Sequence, residues 1–293
     1  MHTPRFLIWT ILLGALAIFS TSCATERKKI TVGATALLLE DIAKSAYKQT
    51  DTRVIREGMP AYLMLMDGMV EALPDNDRLL ISAAQGYATF AGAFIEDQDK
   101  AYANVLYGRA KDYALRALEQ RGIKDPAARP FDEFEAAVNE MDKEDVPFVF
   151  WASACWGNWI QLNMGSMEAM AQLPRVEVLM KRTLVLDEAY YYGGPHLFMG
   201  LWFGSRPKMA GGNLDLARKH FQKAIELGDG KFLMAYIYYA EYYAKKTFDK
   251  TLYLSILENV HKTPADIVPD LTLLNTIAHK RATQLMQDAD EYF

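Results

Sequence analysis

Cysteine is almost missing from this chain. Cys23 and Cys155 are the only two in 293 residues, too few for the disulfide framework of a small secreted domain and too few for zinc without histidines nearby. Histidine is scarce as well. His196, His220, His261 and His279 fall on different predicted helices, and none stands at i,i+4 from another, so no metal-ligating motif is expected. Basic charge is not in excess: 32 Lys and Arg against 37 Asp and Glu leave a formal charge of -5, which argues against a nucleic-acid partner. There is no G-x-S-x-G, phosphate-binding loop or dinucleotide fingerprint. No nucleophile stands beside a base, so neither an enzyme nor a cofactor is expected. The carboxylates Asp132, Glu133 and Glu135 read as a solvated helix face. Strand-type alternation is lacking too; the β-branched residues sit inside helical periodicity.

Long apolar runs are confined to one place. Behind the basic "MHTPR" lies an apolar stretch from Phe6 to Ser20, shorter than the ~20 residues a membrane span needs. It reads as the core of a signal peptide over residues 1–22. Two cleavages compete. Ser20 and Ser22 suit ordinary signal peptidase. Cys23, directly after the run, resembles a bacterial lipoprotein box, although Ser20 stands where such boxes usually carry Leu. Lipidation of Cys23 is favoured because only Cys155 would otherwise remain, and "ATERKK" makes a suitable tether over 23–32. Acyl chains there would hold the protein on a membrane, on the periplasmic side. A Cys23–Cys155 disulfide would require that Cys23 escape lipidation. Cys155, in "FVFWASACWGNWI", reads as a buried helical thiol.

What is present is a globular, helical chain. Hydrophobic residues make up 51% and charged residues 24%, the balance of a packed domain. Helices are expected over 35–49, from Pro60 to Pro74, from Asp75 or Asn76 to 98, and over 99–122 with Gly122 at the end. Further helices are expected over 131–140, from Pro147 to 163, and over 175–190, 214–228, 232–246, 249–262 and 270–293. They alternate as pairs. In a tetratricopeptide repeat of about 34 residues, small residues let two helices touch while bulky ones fill the neighbouring groove. Tyr236, Tyr239, Ala240 and Tyr243, with Ile256 and Pro264, fit that pattern; Leu252 and Asn259 do not. Ala217, Phe221 and Ala224 reproduce A-x-x-x-F-x-x-A, with Gly200 as the small residue of the partner helix. Looser pairs place Trp151, Ala154, Cys155 and Asn158 on one helix, and set Leu80, Ala83, Ala84 and Tyr87 against Ala110, Ala114 and Ala117. The fold expected is all-α: a degenerate tetratricopeptide-like helical-repeat superhelix in one domain over 33–293.

One window interrupts the rhythm. "YYYGGPHLFMGLWFGSRPKMAGGN", Tyr190 to Asn213, crowds glycine, proline and aromatics together. On the repeat register "YYYGGP" ends one repeat and opens the next, with Pro195 at the first helical position. "SRPKMAGG" becomes a loop inserted between the two helices of that repeat.

Three stretches carry a resemblance beyond periodicity: "PAYLMLMDGMVEALPDNDRLLISAAQGYATFAGAFIED", "YYYGGPHLFMGLWFGSRPKMAGGNLDLARKHFQKAIEL" and "FLMAYIYYAEYYAKK". From about Gly58 onward the chain resembles the T-component (TatT) family, bacterial periplasmic proteins associated with TRAP (tripartite ATP-independent periplasmic) transporters. The resemblance implies a lipoprotein or periplasmic protein of cryptic tetratricopeptide-like repeats. It also implies association with the transporter's solute-binding protein, a homotrimer, and a channel or cleft for an apolar small molecule.

The aromatics carry the one site hypothesis. Each of them reads first as packing between repeats. The alternative is that some wall a groove, with a few polar side chains to fix a ligand. The candidate set on that reading is Trp151, Trp159, Tyr191, Tyr192 and Trp202, with Asn158, His196 and Arg206 as the polar members. A second function class stays open: a periplasmic assembly scaffold with no small-molecule ligand.

Overall fold

Short polar side chains start most of the long helices. The computed structural model describes residues 38–293; the signal peptide, the tether and Cys23 lie outside the described residues. Helix α1 covers 38–47 within them. Asp51 caps α2 (Thr52–Ala72), Asn76 caps α3 (Asp77–Phe90) and Asp99 caps α4 (Lys100–Gln120). Each carboxylate or amide oxygen accepts from a backbone N–H that the helix itself cannot satisfy. Gly122 ends α4 with φ 99°, a left-handed turn that costs glycine nothing. After α5 (Phe131–Asn139), prolines take over: Pro147 and Pro174 sit in the first turns of α6 (Val146–Leu162) and α8 (Leu173–Leu186), separated by the short α7 (Met167–Ala171). Then follow α9 (Tyr190–Ser205), α10 (Leu214–Leu227) capped by Asn213, α11 (Met234–Tyr239), α12 (Lys250–Lys262) capped by Asp249, α13 (Thr272–Gln287) and α14 (Ala289–Tyr292). The described residues contain no strand, and the fold is all-α. No described helix is long and apolar enough to cross a membrane.

One expected boundary is displaced. Pro60 lies inside α2 instead of opening it. The Asp51 cap sets the start upstream. Pro60 and Arg56 are both exposed, so the carbonyl deprived of its partner is hydrated and the proline is tolerated. Two helices also depart from the α form at their ends. α3 runs on into a π-turn over Ala91–Ile95, and α11 into one over Ala240–Ala244.

Successive helices pack on one another, α2 on α3, α3 on α4, α4 on α6, α6 on α8, α9 on α10, and α11 on α12 and α13. Small residues make the approaches close. Ala83 and Ala84 of α3, and Ala110, Ala114 and Ala117 of α4, are fully buried. Gly200 of α9 faces Phe221 of α10, where a Cβ would stand 2.7 Å from two ring carbons. Ala217, Phe221 and Ala224 are buried as the repeat register requires, and so are Tyr239, Ala240 and Ile256. The arrangement is compatible with a degenerate repeat superhelix. Cys155 is buried against α3, and the Asp132, Glu133 and Glu135 face of α5 is exposed.

The interrupted window resolves into two devices. Tyr191, Tyr192 and Gly193 have φ 50°, 59° and 79°, a short left-handed turn that breaks α9 near its start. The helix proper resumes at Gly194 and keeps Pro195 in its first turn. Of "SRPKMAGG", Ser205 closes α9 and the rest is the loop between α9 and α10, with one 3-10 turn over Lys208–Ala210. Tyr191 and Phe203 pack against both apolar cores of the protein, one built mainly from α2 to α8 and the other from α10 to α13.

The last long helix returns to the beginning. α13 packs on α2, Lys280 donates to Thr52, and Lys48 pairs with Asp270 at 3.5 Å. The row of helices thereby closes around a hollow.

Candidate ligand cleft

That hollow is a cleft of about 1200 Å³ walled by α2, α3 and its π-turn, α6, α9, α11 and its π-turn, and α13. Its two kinds of lining have different origins. The apolar part is organised by α9. Gly157 of α6 has no side chain, and a Cβ there would stand 2.8 Å from the Phe198 ring. Phe198 can therefore lie against α6. One turn on, Trp202 stacks with Phe198 at 5.9 Å; one further turn on, the Arg206 guanidinium lies 3.9 Å from the Trp202 ring. The four-residue spacing puts Phe198 and Trp202 on one face of α9, and Arg206, just past the helix end, continues the column.

The charged part is gathered at the π-turns. Glu96 follows the first and accepts from the Tyr107 hydroxyl at 2.6 Å. Gly92 makes room for that hydroxyl, since a Cβ there would come within 2.9 Å of it. Glu241 lies in the second π-turn, with Arg281 of α13 at 3.1 Å from its carboxylate and 3.8 Å from Asp97. Burial pushes the Glu241 carboxyl up, and Arg281 offsets part of that. Burial opposes the charge on Arg281, yet Glu241, Tyr238 and Asp97 hold the guanidinium firmly protonated.

The eight sequence candidates separate into two groups. Trp151, Asn158, Trp202 and Arg206 line the cleft. The other four pack elsewhere. Trp159 lies beneath the Lys111 ammonium, 3.8 Å from its ring. Tyr191 sits among Phe150, Trp151 and Phe232 at 5.9, 5.2 and 6.1 Å, and Tyr192 leans on Phe232 at 6.0 Å. His196 holds His220 by its Nδ1, 3.0 Å from the partner Nδ1, and Glu188 by its Nε2 at 3.0 Å. Sequence reasoning missed Phe198, Glu96, Asp97, Glu241 and Arg281. The last comes from the C-terminal long helix, α13, to which the sequence assigned no site residue. It also missed a second, smaller cavity of about 450 Å³ under α1, which shares Thr89 and Phe94 with the main cleft.

The histidines, apart in sequence, meet in pairs: His196 with His220, and His261 with His279 at 5.7 Å between ring centres. Among the described residues no group of three or more His, Cys, Asp or Glu is placed to hold a metal ion. The first pair has a pH consequence. Burial, then the neighbouring His196, lowers the His220 pKa from 6.5 to about 4. Between those values the unfolded chain takes up a proton that the folded chain refuses, so stability is lost as the pH falls through that window. Each unit is worth about 1.4 kcal/mol, and solvent screening of a half-buried ring reduces the total to roughly 1–2 kcal/mol. Urea unfolding at pH 7 and pH 4.5 should show the wild type losing that much more stability than His220→Gln. Equal losses would remove the histidine pair as the cause.

A family model described as TRAP transporter T-component matches residues 48–293. A search of curated proteins finds no match.

Proposed function

The chain belongs to the TRAP transporter T-component family, and from that membership we propose that it docks the transporter's solute-binding protein and holds an apolar ligand in the cleft. It is an auxiliary component of solute uptake, in a family of transport components and not of enzymes. On this reading the mature protein is periplasmic, anchored to a membrane by lipid on Cys23, and works as a homotrimer. The observation that supports ligand handling most is the Phe198 and Trp202 wall of a 1200 Å³ cleft. Apolar sites of this kind take ligands by burying aromatic and aliphatic surface, with a few polar groups for orientation. Within the candidate set, Trp151, Asn158, Trp202 and Arg206 are the proposed ligand contacts.

The test uses the mature chain with Cys23→Ser and the neutral fluorophore N-phenyl-1-naphthylamine. One probe should bind per protomer, and Ile277→Trp, which fills the cleft from α13, should weaken it about tenfold, close to 1.4 kcal/mol. The same variant should still capture the transporter's solute-binding protein from solution. Capture by the wild type with no probe uptake would support the scaffold reading instead. Probe uptake without capture would overturn the docking.

A further inference from the structure

We propose that the ligand of this cleft is an amphiphile with a single carboxylate head, and that Arg206 is the residue that recognises it. This rests on the reading that the cleft holds an apolar ligand, and adds the chemistry of the head group.

Arg206 differs from every other cation on the cleft wall. Arg281 is paired with Glu241 and Asp97, and Arg53 with Glu57 at 2.8 Å. Arg56 and Lys280 have only the neutral partners Gln98 and Thr52, but both are exposed, so water solvates their charge. No carboxylate among the described residues lies within ion-pairing distance of Arg206. Glu177 exerts a weak favourable field on it, but that carboxylate is taken by Lys181 at 2.8 Å. Arg206 is only partly exposed, and burial pulls its affinity for the proton down. A guanidinium keeps its charge in any protein environment. The cleft therefore carries an unneutralised cation whose hydration is already reduced.

Its geometry is fixed before anything binds. The guanidinium lies on the Trp202 ring, and Nε donates to the Trp202 carbonyl at 2.9 Å. The inserted loop folds back on Arg206: a Cβ on Gly212 would overlap the Arg206 backbone carbonyl at 1.9 Å, and one on Gly211 would stand 3.8 Å from a guanidinium nitrogen. With Nε occupied, the two Nη groups are the donors left, and no described residue accepts from them. A pair of parallel N–H donors matches the two oxygens of a carboxylate. One partly buried guanidinium, with no second partly buried cation lacking a carboxylate among the described residues of this wall, suits a monoanion better than a phosphate dianion. Along α9 from this head the wall is Trp202, then Phe198, with Met164 and Leu173 also on the lining. That is a path for an alkyl chain. The inserted loop of the irregular window thus has a use: it sets a charged end on an apolar track.

The experiment compares dodecanoate, dodecanol and dodecylamine on the full mature chain with Cys23→Ser, by displacement of N-phenyl-1-naphthylamine and by calorimetry. Wild type should prefer the acid over the alcohol by about tenfold and bind the amine most weakly. Arg206→Gln should lose the preference, with acid affinity falling about tenfold and alcohol affinity unchanged, and Arg206→Lys should keep part of it. Equal affinity of wild type for acid and alcohol would overturn the head-group assignment and leave the apolar cleft standing. The assignment falls equally if Arg206→Gln weakens acid and alcohol alike, because Arg206 would then be shaping the cleft and not reading the head. Failure of the fluorophore and all three amphiphiles to bind would overturn the cleft reading itself.

Discussion

Gly200→Val is expected to destabilise the protein by about 3 kcal/mol and to lower its melting temperature by roughly 5–10 °C. The position is a close contact between α9 and α10. Even the first added carbon would stand 2.7 Å from two ring carbons of Phe221. That ring is fully buried and lies 5.6 Å from Tyr239, so it has no free direction in which to move. Valine adds two methyl groups to the same space. Relief of glycine's backbone entropy returns only about 0.5–1 kcal/mol, which does not offset the overlap. Gly68 provides the contrast. It sits in α2, where a Cβ would meet nothing within 4 Å, so Gly68→Ala should stabilise by about 0.5–1 kcal/mol. Thermal melts by circular dichroism decide it. Equal effects at the two glycines would mean that the α9–α10 contact is looser than described.

Tyr191→Ala should cost about 3 kcal/mol, and Tyr191→Gly should cost less. That order is the reverse of the one in an ordinary helix, where alanine beats glycine by about 1 kcal/mol. The reason is the backbone. Tyr191 and Tyr192 are left-handed, at φ 50° and 59°, a conformation that disfavours any residue with a Cβ by roughly 1–2 kcal/mol. The ring of Tyr191 offsets this by packing on Phe150, Trp151 and Phe232 and by bridging the two cores. Alanine removes the ring and keeps the strain; glycine removes both. Chemical denaturation of the two variants measures the difference directly. If alanine proves the milder change, the left-handed turn is not what the chain adopts in solution.

These two positions also mark where the sequence was readable and where it was not. Gly200 and Phe221 were legible as a touching pair, because the repeat pattern is a rule about which side chains are small. The caps at Asn76 and the end at Gly122 were legible for a similar local reason. The left-handed tyrosines were not. No local preference puts tyrosine at positive φ; the surrounding aromatic cluster imposes it from residues up to about forty positions away, as with Phe150 and Phe232. The cleft was half legible. Trp202 lies in the last turn of α9 and Arg206 just past its end, and their spacing shows in the sequence. Glu96, Glu241 and Arg281 come together only because α13 closes on α2, and nothing local announces that closure. The pairing of His196 with His220 was hidden likewise, since it depends on how α9 and α10 are set against each other.

The two π-turns carry a consequence of another kind, for how such chains diverge. A π-turn is an α-helix with one residue inserted, and its mark is a bond from the residue five ahead: Glu96 N to Ala91 O, and Lys245 N to Ala240 O, both 2.9 Å. Each insertion falls at the cleft wall. Glu96 and Asp97 follow the first at once, while Glu241 and Tyr242 lie within the second. Removing one residue would restore a plain helix and turn everything after it by about 100°. Glu96 and Asp97 would then swing off the wall with their identities intact. A single-residue gap at either turn is thus a larger change to this pocket than many substitutions, and the length of these two helices is itself an inherited determinant of what the cleft can hold.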